Sequence, residues 1–310
     1  MMKAVMYHYV RPDSTDLPFF KNLHVEDFEK QLDFFEETYG FVDKNDFLKS
    51  LGTGLPVKGV VLTFDDGFKD HYKYVMPILL RRKLWGLFYI NTGVHQQQKI
   101  LDVHRIHLLL GTYSGEEVYL KLNEILENKH LKDEEITAFK EDTYQLQNND
   151  THAALVKRTL NYYIDYNYRA SILDALIDHF FESQDHLFSE TYISPTEMVE
   201  MQEKGMVIGS HTVNHLVMSK LSLARQEEEI VDSFEHLMTH ISPLAIKTFC
   251  YPYGGFHTFT KETETLLEKH QVQFSFNVES RDITSNDLQN RKHALPRYDC
   301  NEFPYGKCRN

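Results

Sequence analysis

Short apolar runs alternate with longer amphipathic segments along much of this 310-residue chain, and the alternation restricts the folds that it can adopt. The apolar runs, which predict strands, lie at residues 3–7, 59–64, 86–91, 206–210, 246–250 and 273–276. Segments with a 3.6-residue period, which predict helices, lie at 25–39, shortly after residue 67, from 194, at 223–240 and at 261–270. Such alternation predicts an α/β fold with a parallel sheet wrapped in helices.

The alternation stops between about residues 96 and 192, where the periodicity predicts only helices. They are expected around 103–110, 116–127, 134–145, 153–165 and 169–182. No repeat or Pro/Gly-rich linker marks a boundary, so we expect a single domain over residues 1–310 with a helical insertion at about 96–192. The insertion either restricts access to a cleft, forms an oligomer interface or only buries its own apolar stripes. His104 and His107 within it fit helix packing better than metal binding.

Charge and composition exclude several classes of partner. The formal charge of −13 argues against nucleic acid or an anionic membrane surface. Three cysteines are too few for a disulfide framework. The sequence shows neither a signal peptide nor an apolar stretch of the roughly 20 residues that an integral membrane segment needs, so we predict a cytoplasmic protein.

The run at 59–64 ends in Asp65 and Asp66, which are followed by Gly67. Side chains alternate along a strand, so two neighbouring carboxylates can point the same way only if the strand has ended. The carboxyl ends of strands are where α/β folds build their sites, and there one carboxylate can bind a metal while the other handles a proton. An ordinary Asp-Gly turn explains the same residues equally well.

A histidine pair follows another predicted strand, in the segment SHTVNH at residues 210–215. His211 and His215 are four residues apart, and a helical turn would place both imidazoles on one face, where they can share a metal ion. With 17 histidines in the chain, a surface pair is the alternative. Two histidines and one aspartate leave metal positions open for water and substrate, which is typical of a catalytic site.

Three further features lie at predicted strand ends. The segment FCYPYGG at 249–255 contains proline and glycine, which allow the backbone to approach a ligand and direct an N–H group at an oxyanion, although a rigid turn is the simpler interpretation. His8 ends the first apolar run, and Arg297 follows a short one near the C-terminus. Alone, these two residues would be interpreted as structural and as surface-exposed, respectively.

Taken together, the motifs resemble the polysaccharide deacetylase family, which is also called the NodB-homology group or carbohydrate esterase family 4. TFDDG at 63–67 matches the first family motif, SHTVNH at 210–215 the second, and YPYG at 251–254 is similar to the third without its usual upstream arginine. Cys250 offers no substitute for that arginine, and the late Leu-x-x-His motif is absent. His8 and the LPR segment at 295–297 instead resemble the subgroup that deacetylates poly-N-acetylglucosamine. The resemblance covers residues 1–95 and 193–300.

This resemblance implies a distorted (β/α)7-type barrel and hydrolysis of an N-acetyl group from an amino sugar or glycan, with release of acetate. It also implies a divalent metal, most often Zn²⁺, with Co²⁺, Ni²⁺ and Mn²⁺ as alternatives. The expected metal ligands are Asp66, His211 and His215. The expected catalytic residues are Asp65 as general base, His8 as general acid, the backbone N–H of Tyr253 at the oxyanion and Arg297 as the partner that orients Asp65. Substrate contacts are expected from Tyr251, Pro252 and Gly254.

Other functions remain open at this point. The same fold serves amidases that hydrolyse non-sugar C–N bonds, and a metal-binding protein could recognise glycans without catalysis. A non-haem iron oxygenase also uses two histidines and a carboxylate, but the close His-x-Asp spacing expected there is missing. Without a signal peptide, the expected substrate is an intracellular sugar linked to a nucleotide or a lipid.

Overall fold

The computed structural model describes residues 1–132, 150–181, 187–244 and 246–309, which form two compact units. The first unit contains residues 1–12, 22–99 and 189–309, and the second contains 13–21 and 100–188 within the described ranges. The limits of the second unit lie close to those expected for the insertion. A single domain with an insertion stays a prediction.

The described part of the first unit contains nine strands. In chain order they are β1 (Met2–Tyr7), β2 (Val10–Arg11), β3 (Leu23–His24), β4 (Gly59–Phe64), β5 (Leu87–Ile90), β6 (Val207–Ser210), β7 (Thr248–Cys250), β8 (Phe274–Phe276) and β9 (Tyr298–Asp299). Seven of them form one parallel sheet in the order β8-β7-β6-β5-β4-β1-β9, while β2 pairs with β3. All six strands expected from the sequence are present. β2, β3 and β9 were not predicted, because a strand of two residues is too short to show a periodicity.

The sheet is curled, and one segment meets both of its edges. Leu295 forms a parallel bridge to Phe276 in β8, and three residues later Tyr298 pairs with Val5 in β1. The chain between them therefore spans the gap between the two ends of the sheet. This arrangement confirms the expected α/β barrel type, with seven strands.

Both faces of the sheet are buried, which explains why its strands are continuous apolar runs. Alternate residues of β4 divide between two cores: Leu62 and Phe64 pack with the helix residues Phe28 and Leu32, while Val61 packs with Ala4, Leu87 and Tyr89. The second group fills the interior of the curled sheet.

Helices connect the strands of the first unit. They are Val25–Thr38, Lys44–Thr53, Met76–Arg81, Gly93–Gln97, Leu187–Thr191 (whose first two residues belong to the second unit), Pro195–Glu203, Leu223–His240, Lys261–Lys269 and Ser285–Asn290. Ser194 forms a capping box with Glu197, at the position where the sequence predicts a helix to begin. The helix after Asp66 begins with a π-helical turn at His71–Val75. The 3.6-residue period of the sequence places Leu80 on the apolar face of this helix, but in the structure Leu80 is 36% exposed. Four of these helices were not predicted: Lys44–Thr53, Gly93–Gln97, Leu187–Thr191 and Ser285–Asn290.

Most of the described residues of the second unit are helical, as expected. Helices span Asp102–Thr112, Gly115–Ile125, Thr151–Arg158 and Tyr166–Phe180, with a π-helical turn at Thr159–Tyr163. Their apolar stripes, including Leu173, Leu176 and Ile177, form a separate core. The helix predicted at 134–145 lies outside the described residues. Among the helices that are described, none combines the length and apolarity required to cross a bilayer.

Candidate active site

The two aspartates lie just beyond the carboxyl end of β4 and diverge there. Val61, Thr63 and Asp65 alternate onto one face, so Asp65 continues the inner face of the curled sheet. Asp66 has a left-handed backbone with φ of 75° and Gly67 follows with φ of 64°. This turn allows both neighbouring carboxylates to reach the barrel mouth. Both are buried, with exposures of 1% and 3%.

The histidine pair follows β6, but the local structure differs from the expectation. His211 to His215 is a loop rather than a helical turn, and Thr212 and His215 have left-handed φ values of 67° and 52°. The prediction of a helical turn was wrong, because residues 211–215 form no helical backbone bonds and instead bond to neighbouring segments and to side chains. The two rings nevertheless lie side by side, with centroids 4.8 Å apart.

Asp66, His211 and His215 converge. The Asp66 Oδ1 atom lies 3.6 Å from His211 Nε2 and 3.4 Å from His215 Nε2. Ligand bonds of about 2.0–2.2 Å to a tetrahedral ion would separate such atoms by about 3.3–3.6 Å. The side chains therefore fit one divalent metal ion with an Asp/His/His ligand set. The described residues also contain a second group of potential ligands that shares a histidine, consisting of Asp65, His211 and Cys250.

Electrostatics favour a neutral His211, the form that binds metals. Burial lowers its pKa, an effect that the nearby Asp65 and Asp66 oppose only in part. Its Nδ1 atom lies 2.7 Å from the carbonyl oxygen of Cys250, which makes Nδ1 the donor and leaves Nε2 directed at Asp66. The end of β7 thus fixes the orientation of a residue that follows β6.

Arg297 holds Asp65 in a closed polar cluster. The guanidinium donates from Nη1 to Asp65 Oδ1 and from Nη2 to Oδ2, both at 2.8 Å, and donates again to Thr63 Oγ1 at 3.0 Å. Arg297 is fully buried. Burial alone would raise the pKa of Asp65, but the charge of Arg297 and its hydrogen bonds bring that pKa down to about 2. Asp65 is therefore ionised at neutral pH.

Cys250 completes this cluster. Its sulfur lies 2.9 Å from Arg297 Nη2 and 3.5 Å from Asp65 Oδ2, and burial raises the pKa of the thiol. Position 250 and its neighbours supply no arginine to pair with Asp65. Arg297, in the segment that meets both edges of the sheet, provides it instead. That segment places a residue from the end of the chain against one from β4.

His8 lies on the other side of Asp66. Its Nε2 atom is 4.0 Å from Asp66 Oδ2, and 39% of its side chain is exposed. The backbone of His8 is held by His71, whose buried Nε2 lies 2.7 Å from the His8 carbonyl oxygen. Burial lowers the pKa of His71 to about 4, which keeps that ring neutral. His8 is therefore close to the proposed metal ligands and open to solvent.

The loop after β7 places its residues differently. Tyr253 has φ of 63°, and its ring centroid is 4.8 Å from that of His215. Tyr251 is buried, stacks on Phe259 at 3.8 Å and donates from its hydroxyl to the carbonyl of His293. Pro252 and Gly254 are also buried. Tyr251 thus contacts protein in this structure, and its expected role in substrate binding stays a prediction.

Glu229, which lies on the helix Leu223–His240, was not predicted from the sequence. Its carboxylate, 1% exposed, accepts hydrogen bonds from the backbone N–H groups of Val213 and Asn214, between the two histidines. Residues 227–229 are all glutamates, so composition alone does not distinguish them. The helical period would have done so, because Glu229 lies one turn from the buried residues Gln226 and Ser233.

The family profile described as "Polysaccharide deacetylase" matches residues 53–275, which include TFDDG, SHTVNH and YPYG. Among curated protein sequences, none matches the chain significantly.

Solved structures with a similar fold share little sequence with this chain. The deacetylase PplD of Streptococcus pyogenes, in complex with acetate, is 17% identical, with a TM-score of 0.59 over 96% of this chain and 91% of that one. IcaB from Ammonifex degensii is 18% identical, with a TM-score of 0.53 over 96% and 90%. The de-N-acetylase of Aggregatibacter actinomycetemcomitans is 14% identical, with a TM-score of 0.54 over 96% and 94%. These likenesses show the fold.

Proposed function

The chain belongs to the polysaccharide deacetylase family, and from that membership we propose that it is a metal-dependent hydrolase that removes an N-acetyl group from an amino sugar or glycan. The observation that carries the proposal is the convergence of Asp66, His211 and His215 beside a second, separately held carboxylate, Asp65. A site for metal binding alone would not need a buried ionised aspartate next to the ligands.

Asp66, His211 and His215 would hold the divalent ion, and their two nitrogens and one oxygen suit Zn²⁺ best, with Co²⁺, Ni²⁺ and Mn²⁺ as alternatives. A cation bound there acidifies a water molecule and polarises the acetyl carbonyl. An acetyl group bound next to these ligand side chains would lie near His8, which is close to Asp66, and near Tyr253, which is close to His215.

Asp65 would act as the general base and take a proton from the attacking water. Its low pKa makes it a weak base, but it keeps the carboxylate ionised and ready to accept. Arg297 would orient it through the two parallel hydrogen bonds. The backbone N–H of Tyr253 would donate to the oxyanion that develops as water adds to the acetyl carbon.

His8 would protonate the departing amine, which is too poor a leaving group to depart as an anion. Histidine exchanges protons readily near neutral pH, and His8 combines solvent exposure with proximity to Asp66. The products would be acetate and a free amino sugar.

The finer features of the substrate stay proposals. We propose an intracellular acceptor sugar, linked to a nucleotide or a lipid, and a cytoplasmic location, on the basis of the sequence. Cell fractionation would test the location.

Mass spectrometry of N-acetylated sugars, offered free, nucleotide-linked and as oligomers, tests the function after incubation with metal-loaded protein. We expect at least one class of these sugars to lose about 42 Da per deacetylation, because hydrogen replaces the acetyl group. No loss from any sugar, together with hydrolysis of a cyclic ureide or imide, would favour an amidase of the same fold.

A further inference from the structure

The loop that carries the histidine pair is held at every backbone N–H group. The N–H of His211 donates to the carbonyl of Ile90, and that of Thr212 donates to Ser210 Oγ. The next two, of Val213 and Asn214, both donate to Glu229 Oε2, at 2.9 and 2.8 Å, and that of His215 donates to Thr212 Oγ1. Side chains thus replace the bonds that a helix or a strand would provide.

Such support is needed because the loop backbone is strained. Thr212 and His215 both have positive φ, which is unfavourable for residues other than glycine and persists only where the surroundings enforce it. A relaxed loop would carry His215 away from Asp66. The contacts that enforce the strained conformation therefore also determine whether a metal ion finds His211 and His215 already in place.

Glu229 is the residue best placed to enforce this conformation. Besides the two backbone bonds, its Oε1 accepts from Asn214 Nδ2 at 2.7 Å and from Arg225 Nη2 at 3.1 Å. Bonds to an ionised carboxylate are roughly twice as strong as neutral ones. One turn further along the same helix, Ser233 Oγ lies 2.6 Å from Ser210 Oγ. The helix Leu223–His240 therefore contacts the residue before His211 and the two residues that precede His215.

We propose that Glu229 is a positioning residue that sets the metal affinity of the site by holding the loop between His211 and His215. This inference rests on the proposed function, because it concerns the same metal. Glu229 is absent from the converging ligand groups and acts through the backbone of residues 213 and 214. Removing it should weaken metal binding while every ligand side chain remains.

Three variants separate positioning from charge and from stability. Glu229→Asp keeps the charge but is one methylene too short to reach the loop. Glu229→Gln keeps the length but turns an amide –NH₂ towards the Asn214 and Arg225 donors. Glu228→Gln is the matched control, because Glu228 is the neighbouring glutamate, 55% exposed, and pairs only with Arg225 among the described contacts.

The readout is the dissociation constant of Zn²⁺, measured by competition with a chromogenic chelator on folded protein, together with the visible absorption of the Co²⁺ form. We expect Glu229→Asp and Glu229→Gln each to bind Zn²⁺ about 10–100-fold more weakly than the wild type, the range found when support for metal ligands is lost. Glu228→Gln should bind like the wild type. Excess metal should restore most of the lost turnover.

Other results would overturn the inference in distinguishable ways. A Glu229→Asp variant with wild-type affinity would show that charge, not reach, matters. Both variants with wild-type affinity but a lower melting temperature would leave Glu229 as a merely structural residue. If the wild type itself bound no divalent ion, the proposed function would fail first, and the inference with it.

Discussion

Asp65 and Asp66 are neighbours in sequence but lie in opposite surroundings. Asp65 faces a closed cluster in which Arg297 and Cys250 contact both of its oxygens, and it is screened from solvent. Asp66 faces the imidazole nitrogens of three histidines at 3.4–4.0 Å, and one of them, His8, is partly exposed. Asp65 is thus paired with the guanidinium of Arg297, whereas Asp66 is arranged to bind a metal ion.

The difference arises from one backbone turn. With an extended conformation, Asp66 would point to the outer, helix-covered face of the sheet, opposite Asp65. The left-handed conformation at Asp66 redirects it to the barrel mouth. Two identical side chains can then take different roles, because their environments rather than their chemistry decide what each one holds.

The largest effect on turnover should come from removing the Asp66 carboxylate. Asp66→Ala leaves only the two histidines, and we expect loss of the bound ion together with a fall in turnover of about 10⁴-fold or more, since a catalytic metal ion supplies several kcal/mol of transition-state stabilisation. Elemental analysis and acetate release measure the two effects. Asp232→Ala, at an exposed aspartate, is the control. Unchanged metal content in Asp66→Ala would place the ion elsewhere.

Changing the Asp65 carboxylate should lower turnover without lowering the metal content. Asp65→Asn preserves the shape but cannot accept a proton, and we expect a decrease of about 10²–10⁴-fold in turnover with one ion still bound. Near-normal turnover would contradict the assignment of Asp65 as base. Simultaneous loss of the metal would instead show that Asp65, like Asp66, is needed to bind the ion.

The closed cluster around Asp65 and Arg297 should also contribute to the stability of the protein. Arg297→Gln leaves Asp65 as a buried charge without its cation, and we expect the free energy of unfolding to fall by about 3–5 kcal/mol at neutral pH. Chemical denaturation measures the change. Adding Asp65→Asn to Arg297→Gln should recover part of the loss, because no unpaired charge remains. Strictly additive losses would show that the two side chains do not interact energetically.

His8, the partly exposed histidine, should give the smallest effect on turnover and the most selective one between substrates. His8→Ala should slow the hydrolysis of amide substrates by about 10²-fold. Activated aryl acetates should be hardly affected, because their leaving group departs without a proton. Steady-state rates on both substrates measure the ratio. Equal losses on the two would reduce His8 to a structural role.

The sequence allowed the fold class, six strands and the order of the motifs to be predicted, because buried parallel strands and amphipathic helices leave periodic patterns. The local form of the histidine pair was predicted incorrectly. Its conformation depends on Glu229 and on side chains within the loop. The helical period marks Glu229 as a residue of the buried face, but it does not indicate which loop that carboxylate contacts. β9 and the burial of Tyr251 were likewise missed, since both depend on pairing and packing between distant residues.

Anomalous diffraction from crystals grown with Zn²⁺, recorded at the zinc absorption edge, tests the central claim most directly. We predict one peak within about 2.0–2.2 Å of Asp66, His211 and His215, with Asp65 still paired to Arg297. A peak among Asp65, His211 and Cys250, or no peak at the barrel mouth, would contradict the division of roles between the two aspartates.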